Sequence, residues 1–427
     1  MASDPFERKI VKQALLEWLL HKKAFDRVLG DVLKEHRVGS AQRATITAWA
    51  YAFVRNLGLF LPRPVKPESP PWQRDFDALL ERAGDGPEAI EKWHARAKPS
   101  FEADALRHFT DIHAVPAFLA REFMAVPGAW HDYLHASLRE APLFVRLNPL
   151  KMSSKDFEKR FADRGLETRW LPHSYRFATR WAITQDEAFL DGAFEIQDEH
   201  SQIVGWVAAP KPGERVLDLC AGAGGKTLHL ASLMGGEGEI VSYDVDKRKL
   251  AELAARAKRG GFRNVKVSEN LPRSAELFDV VVVDAPCSGL GTLRRNPERL
   301  YSVKEEELQG LSRLQVDIGD RAVNYLKPGG RLVYATCTPR PQENELVVKR
   351  IVDKTKLRLV SVPRALVASI GTNSGLANFL AEAKAGAAGR IGAAFAFDSS
   401  SEDCLRLGPS QASGAISGDG FFVALLH

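Results

Sequence analysis

The chain has 427 residues, too many for one ordinary core, and its 45% hydrophobic and 26% charged content are those of a globular protein, which excludes a disordered or fibrous chain. No run is long and apolar enough to cross a bilayer, and Met1–Lys12 lacks the apolar centre of a secretion signal, so a cytoplasmic protein with no membrane partner is expected. The net charge of +5 is compatible with nucleic acid without requiring it, and four dispersed cysteines with no CxxC pair argue against a disulfide framework and a metal site and for a reducing compartment.

Residues from about 5 to 60 read as helices. Val11, Leu15, Trp18 and Leu19 recur at helical spacing, and Ile46, Trp49, Ala50, Phe53, Val54 and Leu57 repeat the pattern more strongly. Gly39-Ser40 breaks them, with Ser40 a fitting cap. Five prolines between Leu61 and Pro71 exclude a helix interior there. Helical patterns resume near Asp75 and run past Leu138, interrupted at 84–87 and at Pro127-Gly128. Lys22, Lys23, Lys34, Arg37 and Arg43 are either phosphate contacts or the solvated faces of these helices.

The texture changes near Pro142. A strand through Leu143–Leu147 and a helix from Ser153 to Gly165 form a small α/β connector. From Asp191 strands and helices alternate: strands at 215–220, 239–243, 265–267, 280–283 and 331–335, with helices through Met234, over 250–259 and over 305–326. That alternation predicts a doubly wound, mostly parallel Rossmann-like sheet. Lys327-Pro328-Gly329-Gly330 reads as a turn, 383–401 as an Ala-, Gly- and Ser-rich loop, and Asp419-Gly420 as a turn into a last, antiparallel strand. The expected domains are 1–138, 139–190 and 191–427.

The glycine-rich stretch Asp218-Leu-Cys220-Ala221-Gly222-Ala223-Gly224-Gly225-Lys226-Thr227 sits between a strand and a helix, where glycines let the backbone approach a ligand. Gly225-Lys226-Thr227 mimics a P-loop ending, but Cys220 stands where that motif needs glycine. A dinucleotide fingerprint also fails, because Thr227 replaces its third glycine. An adenosine-bearing cofactor without phosphates, S-adenosyl-L-methionine, fits better. Asp244, ending the next strand, would then take both ribose hydroxyls, a role compatible with capping the following helix.

Phe278-Asp-Val-Val-Val-Val-Asp284-Ala-Pro-Cys287-Ser-Gly289 places four consecutive valines before an acid and a thiol, the pattern of a strand buried on both faces. A strand ending in a turn with an incidental cysteine is the plainer alternative. Cys337 follows another central strand, so both thiols would face one crevice. Two thiols beside a methyl donor suit cytosine C5, a poor nucleophile until a thiolate adds at C6. Asp284 would hydrogen-bond the base edge and offset charge on the ring. Buried structural thiols are the competing reading.

These motifs, with Tyr334-Ala-Thr-Cys337-Thr, Gln342-Glu-Asn-Glu345, Ile196-Gln-Asp-Glu-His-Ser-Gln202, Arg294-Arg295-Asn296-Pro297 and Asp419-Gly-Phe-Phe422, together resemble the Sun/Fmu (RsmB-like) family of RNA cytosine-5 methyltransferases, from Pro142 onward. The resemblance implies that Cys337 is the nucleophile and that Cys287 assists breakdown of the adduct. It implies that Lys226 lies beside the methionine end of the cofactor and close to the catalytic centre, and that Arg294 and Arg295 contact RNA near the target base. Three departures are visible: Ala223 replaces the usual proline, Lys249 a usual arginine, and Glu269-Asn270 leaves the adenine-edge acid out of register, with Asn270 chosen.

The helical first region resembles the NusB-like RNA-binding domain, mainly over 43–56. The expectation is therefore a monomeric methyltransferase forming 5-methylcytosine in small-subunit (16S) rRNA. A tRNA cytosine-5 methyltransferase and a catalytically silent rRNA-binding assembly factor are the rivals.

Overall fold

The computed structural model describes residues 4–21, 24–55, 115–124, 133, 136–137, 139–273, 277–372, 374–385, 404–407 and 418–427. The proline-rich stretch 61–71, the breaks at 84–87 and 127–128, the 386–401 part of the small-residue tract, Lys22 and Lys23 lie outside them. The chain divides into two compact units.

In the first unit, helices Pro5–His21, Phe25–Glu35 and Ser40–Arg55 share a core of Val11, Leu15, Val28, Val32, Trp49 and Phe53. Val11, Leu15, Trp49 and Phe53 are positions that the helical spacing marks as apolar, and burying such a stripe is what makes short helices stable. The unit also takes in residues 293–305 from far along the chain. Tyr301 packs edge-on against Trp18 at 6.4 Å, and Arg55 donates to the Arg294 carbonyl at 3.5 Å.

Among the described residues, the second unit carries two sheets. The smaller, in the order β2-β3-β1-β4, joins Leu143–Leu147 (β1), Leu166–Thr168 (β2), Ser174–Phe177 (β3) and Phe194–Ile196 (β4), all antiparallel. Phe157, Phe161, Tyr175, Phe177 and Phe194 form its core. The Ser154–Arg160 helix over it starts where Ser153 Oγ accepts the Asp156 N–H at 3.1 Å. Because β4 pairs with β1, this sheet reaches past residue 190.

The larger sheet contains Arg215–Asp218 (β5), Glu239–Tyr243 (β6), Val265–Ser268 (β7), Phe278–Asp284 (β8), Leu326–Thr336 (β9), Leu359–Val360 (β10), Leu405–Leu407 (β11) and Phe421–Leu426 (β12). Its order is β10-β12-β9-β8-β5-β6-β7. Strands β5 to β9 pair in parallel and β12 runs antiparallel to β9. The far side of β12 is shared by β11 and β10. Val280–Val283 are all 0% exposed; burying each is worth roughly 1.5–3 kcal/mol. They anchor the strand that carries Asp284.

One local expectation changes. Lys327–Gly330 does not precede the strand but bulges within it, between the Phe278–Leu326 and Val280–Arg331 pairs. Lys327 crosses to Asp279 at 2.9 Å, which holds the bulge in the sheet.

Candidate active site

Strand β5 pairs with β6 on one side and β8 on the other, so the winding of the sheet reverses there. The carboxyl ends of strands beside such a reversal form the ligand crevice of open α/β sheets. The glycine turn follows β5, Asp244 follows β6, Asp284 and Cys287 end and follow β8, and Cys337 follows β9.

The turn is built for backbone approach. Gly222 N–H donates to Asp244 Oδ2 at 2.8 Å and Ala221 N–H to the Tyr243 carbonyl at 2.9 Å. Asp244 Oδ1 accepts from Asp246 N–H at 2.8 Å, so each carboxylate oxygen keeps a further lone pair for a ligand hydroxyl. A Cβ built on Gly222 or Gly225 meets nothing within 4 Å, which marks open space above the turn. Gly224 differs: its φ is +90°, and a Cβ there would lie 2.7 Å from Leu253 Cγ. Ala223, lacking the rigidity of proline, is braced from outside. Arg256 donates to its carbonyl at 2.7 Å and is itself held by Glu195 of β4 at 2.9 Å.

Gly224→Ala is expected to lower unfolding free energy by about 2–4 kcal/mol, from a left-handed backbone and an overpacked Leu253. Gly222→Ala has only the backbone penalty, about 1 kcal/mol. Urea melts of both variants check the difference; equal losses would contradict the geometry.

Lys226, in the first turn of the Gly225–Leu233 helix, reaches Asp284 Oδ2 at 2.5 Å. Its Nζ also lies 5.0 Å over the Phe421 ring. Burial alone would push the Lys226 ammonium down, but Asp284, Cys337 and Asp218 hold its pKa above the ordinary lysine value. Beneath them Asp218 is 0% exposed. Burial pushes its carboxyl up to about 6, with the Thr227 hydroxyl, which donates at 2.7 Å, opposing.

The two thiols meet: Cys287 Sγ and Cys337 Sγ are 3.2 Å apart, both half-buried. The hydrogen bond with Cys337, then burial, then the negative charge of Cys337 and Glu343 push the Cys287 pKa well above the ordinary thiol value. Behind them, the Cys337 carbonyl accepts Gly291 N–H at 2.8 Å, and the Gly291 carbonyl accepts Gly420 N–H at 2.8 Å.

The structure thus forms two contacting pairs, Cys287 with Cys337 and Lys226 with Asp284, and the charge of Cys337 bears on Lys226. Asp244 and the glycines stand beside it. Cys220 is half-buried in the same turn, its thiol pushed up by burial and by Asp218, Asp284 and Asp244. Asn270 lies past the end of β7, exposed, its N–H donating to Ser268 Oγ at 3.3 Å. Lys249 is exposed. Arg294 is 5% exposed and Arg295 half-buried, so of the two only Arg295 presents much surface. The sequence reading assigned no role to Glu343 or Gln315. Both are 0% exposed polar side chains against the cysteine turns, and an acid inside the Gln-Glu-Asn-Glu run was the one available signal.

Residues 206–427 match the model of the family described as 16S rRNA methyltransferase RsmB/F. A probable ribosomal RNA small subunit methyltransferase B from Synechocystis is 37% identical over 218 residues, 49% of this chain and 49% of that one. The ribosomal RNA small subunit methyltransferase B of Escherichia coli strain K12 is 31% identical over 252 residues, 56% of this chain and 58% of that one. The chain thus spans about half the length of the curated relatives it matches. A solved methyltransferase homolog protein from Pyrococcus horikoshii superposes with a TM-score of 0.58 at 28% identity, covering 73% of this chain and 94% of its own. With more than half its length matched by the family model, the chain belongs to the 16S rRNA methyltransferase RsmB/F family.

Proposed function

We propose that this protein transfers the methyl group of S-adenosylmethionine to C5 of a cytosine in small-subunit rRNA, through a covalent bond between Cys337 and cytosine C6. The observation that carries the reading is the pair of thiols 3.2 Å apart at the ends of neighbouring strands, beside the Lys226–Asp284 ion pair. The residues present fit the cofactor: open space over Gly222 and Gly225 would admit it, and Asp244 would hold its ribose hydroxyls. When bound, the cofactor supplies an electrophilic methyl group.

In this reading the Cys337 thiolate adds to C6, and the C5–C6 π electrons become available at C5. The Asp284 carboxylate accepts from the exocyclic amine at the Watson–Crick edge of the base, and the Lys226 ammonium beside it offsets the negative charge that builds on the ring. With the donor held over the glycine turn and by Asp244, C5 would take the methyl group and the donor would leave as its neutral thioether. A base then removes the C5 proton, the double bond re-forms, and Cys337 leaves as thiolate. Cys287 beside it, its pKa held above the ordinary thiol value by the hydrogen bond with Cys337 and by burial, assists this release. The target base must be unstacked to reach such a crevice.

The test is transfer of labelled methyl from S-adenosylmethionine to isolated 16S rRNA, with the RNA digested to nucleosides. Label should appear in 5-methylcytidine. Label confined to another methylated nucleoside refutes the chemistry, and label in tRNA but not rRNA refutes the substrate.

A further inference from the structure

Cys287 and Cys337 stand on separate turns, after β8 and after β9. Nothing in the parallel pairing of those strands sets the distance between two side chains beyond their ends. That distance decides the chemistry proposed for them, because reactive groups lose rate steeply when displaced by an ångström. The structure supplies a link in one buried carboxylate.

Glu343 is 0% exposed. Its Oε2 accepts the N–H of Ser288, the residue after Cys287, at 2.8 Å. Its Oε1 accepts from Arg340 at 3.0 Å and from the hydroxyl of Thr338, the residue after Cys337, at 3.5 Å. Ser288 Oγ donates directly to Thr338 Oγ1 at 2.8 Å. Gln315 donates to Glu343 Oε2 at 3.1 Å and to the Pro286 carbonyl at 2.9 Å. Asn344 fixes the other turn: it accepts from Thr336 at 2.5 Å and donates to the Thr338 carbonyl at 2.8 Å, which brackets Cys337. The Tyr334 hydroxyl donates to the Glu343 carbonyl at 2.7 Å, so the acid is itself anchored to β9. A buried charge is retained only with such a full set of partners. Here those partners are the backbones and side chains next to both cysteines.

We propose that Glu343 is a positioning residue that ties the Cys287 and Cys337 turns together and sets the separation and unequal reactivity of the two thiols. The assignment deepens the proposed methyl-transfer reading and rests on its division of labour between the thiols. Glu343 touches neither base nor cofactor in this role; it acts through the turns. The groups whose charge bears on Cys287 are Cys337 and Glu343.

The test reads the thiols without RNA. The full chain is alkylated with iodoacetamide across a pH series, and each cysteine is followed by peptide mass spectrometry. Melting temperature and S-adenosylmethionine affinity are measured alongside. In the wild-type protein Cys337 should be labelled first. In Glu343→Gln, labelling of Cys287 at pH 8 should rise about tenfold, the change that accompanies a one-unit fall in thiol pKa. The preference for Cys337 should narrow equally, with cofactor affinity unchanged, and Glu343→Asp should restore part of it. An unchanged labelling ratio in folded Glu343→Gln, or a change that only parallels lost cofactor binding, overturns the proposal. If Glu343→Gln does not fold, the near-isosteric Thr338→Val is read by the same two criteria. Labelling as expected with no methylated RNA would sink the methyl-transfer reading and leave the positioning role standing.

Discussion

Cys287→Ala is expected to leave RNA covalently attached to the protein, visible as a shifted band on a denaturing gel with S-adenosylmethionine and rRNA present, whereas Cys337→Ala gives none. Loss of the nucleophile should lower turnover at least about 10³-fold. Loss of the assisting thiol should spare bond formation and slow release about 10²-fold, the scale of one proton-handling group. The asymmetry follows from the geometry. The sulfurs are 3.2 Å apart, and the hydrogen bond with Cys337, burial and then the charges of Cys337 and Glu343 push the Cys287 pKa above the ordinary thiol value, which suits it to serve a neighbouring thiolate rather than to attack. A trapped band with Cys337→Ala and none with Cys287→Ala would exchange the two roles.

The second large effect is expected at Lys226. Lys226→Met removes the ammonium 2.5 Å from Asp284 and should reduce methyl transfer about 10²–10³-fold, the range for deleting one preorganised charge. The Asp284 side chain is 30% exposed, so water takes up part of the uncompensated charge and the stability loss should stay near ~1–2 kcal/mol. Lys226→Arg keeps the charge but not its compact geometry and should recover only part of the rate. The sign of the pH effect is also fixed. Because the folded-state pKa of Lys226 is raised, the contribution of the pair is complete below the ordinary lysine value and is lost as pH rises through the higher folded value. Between about pH 6 and 9 the Lys226 pair should therefore add no slope to stability. Single-turnover assays and urea melts across that range check both statements. A variant that loses stability as steeply as rate would mark Lys226 as structural.

Much of this site was legible because it sits on the most regular part of the chain. A run of four valines bounded by Asp284 and Pro286 has few readings besides a central strand, and a glycine turn after the preceding parallel strand fixes the crevice. Short pieces were harder. β4 and β11 are three residues each and β10 two, too brief for alternation to show, and β4 and β10 pair with strands distant in the chain. The bulge at Lys327–Gly330 looked like a turn because proline and glycine favour both. Glu343 is a different case. The Gln342-Glu-Asn-Glu345 run marks it as part of a motif, but only tertiary packing reveals that this acid is fully buried against the cysteine turns.

The backing of Cys337 has a consequence for how the protein is made. Its carbonyl is held by Gly291, and Gly291 by Gly420, so the layer behind the thiol waits for a residue synthesised more than a hundred positions after Gly291. Until β12 arrives, β9 presents an unpaired edge and the thiols already exist on an unfinished sheet. An exposed central strand edge is a template for pairing with other chains. The interval between translation of Cys337 and of Gly420 is thus when the nascent chain has most need of protection, and the same step that closes the edge completes the wall behind the thiol.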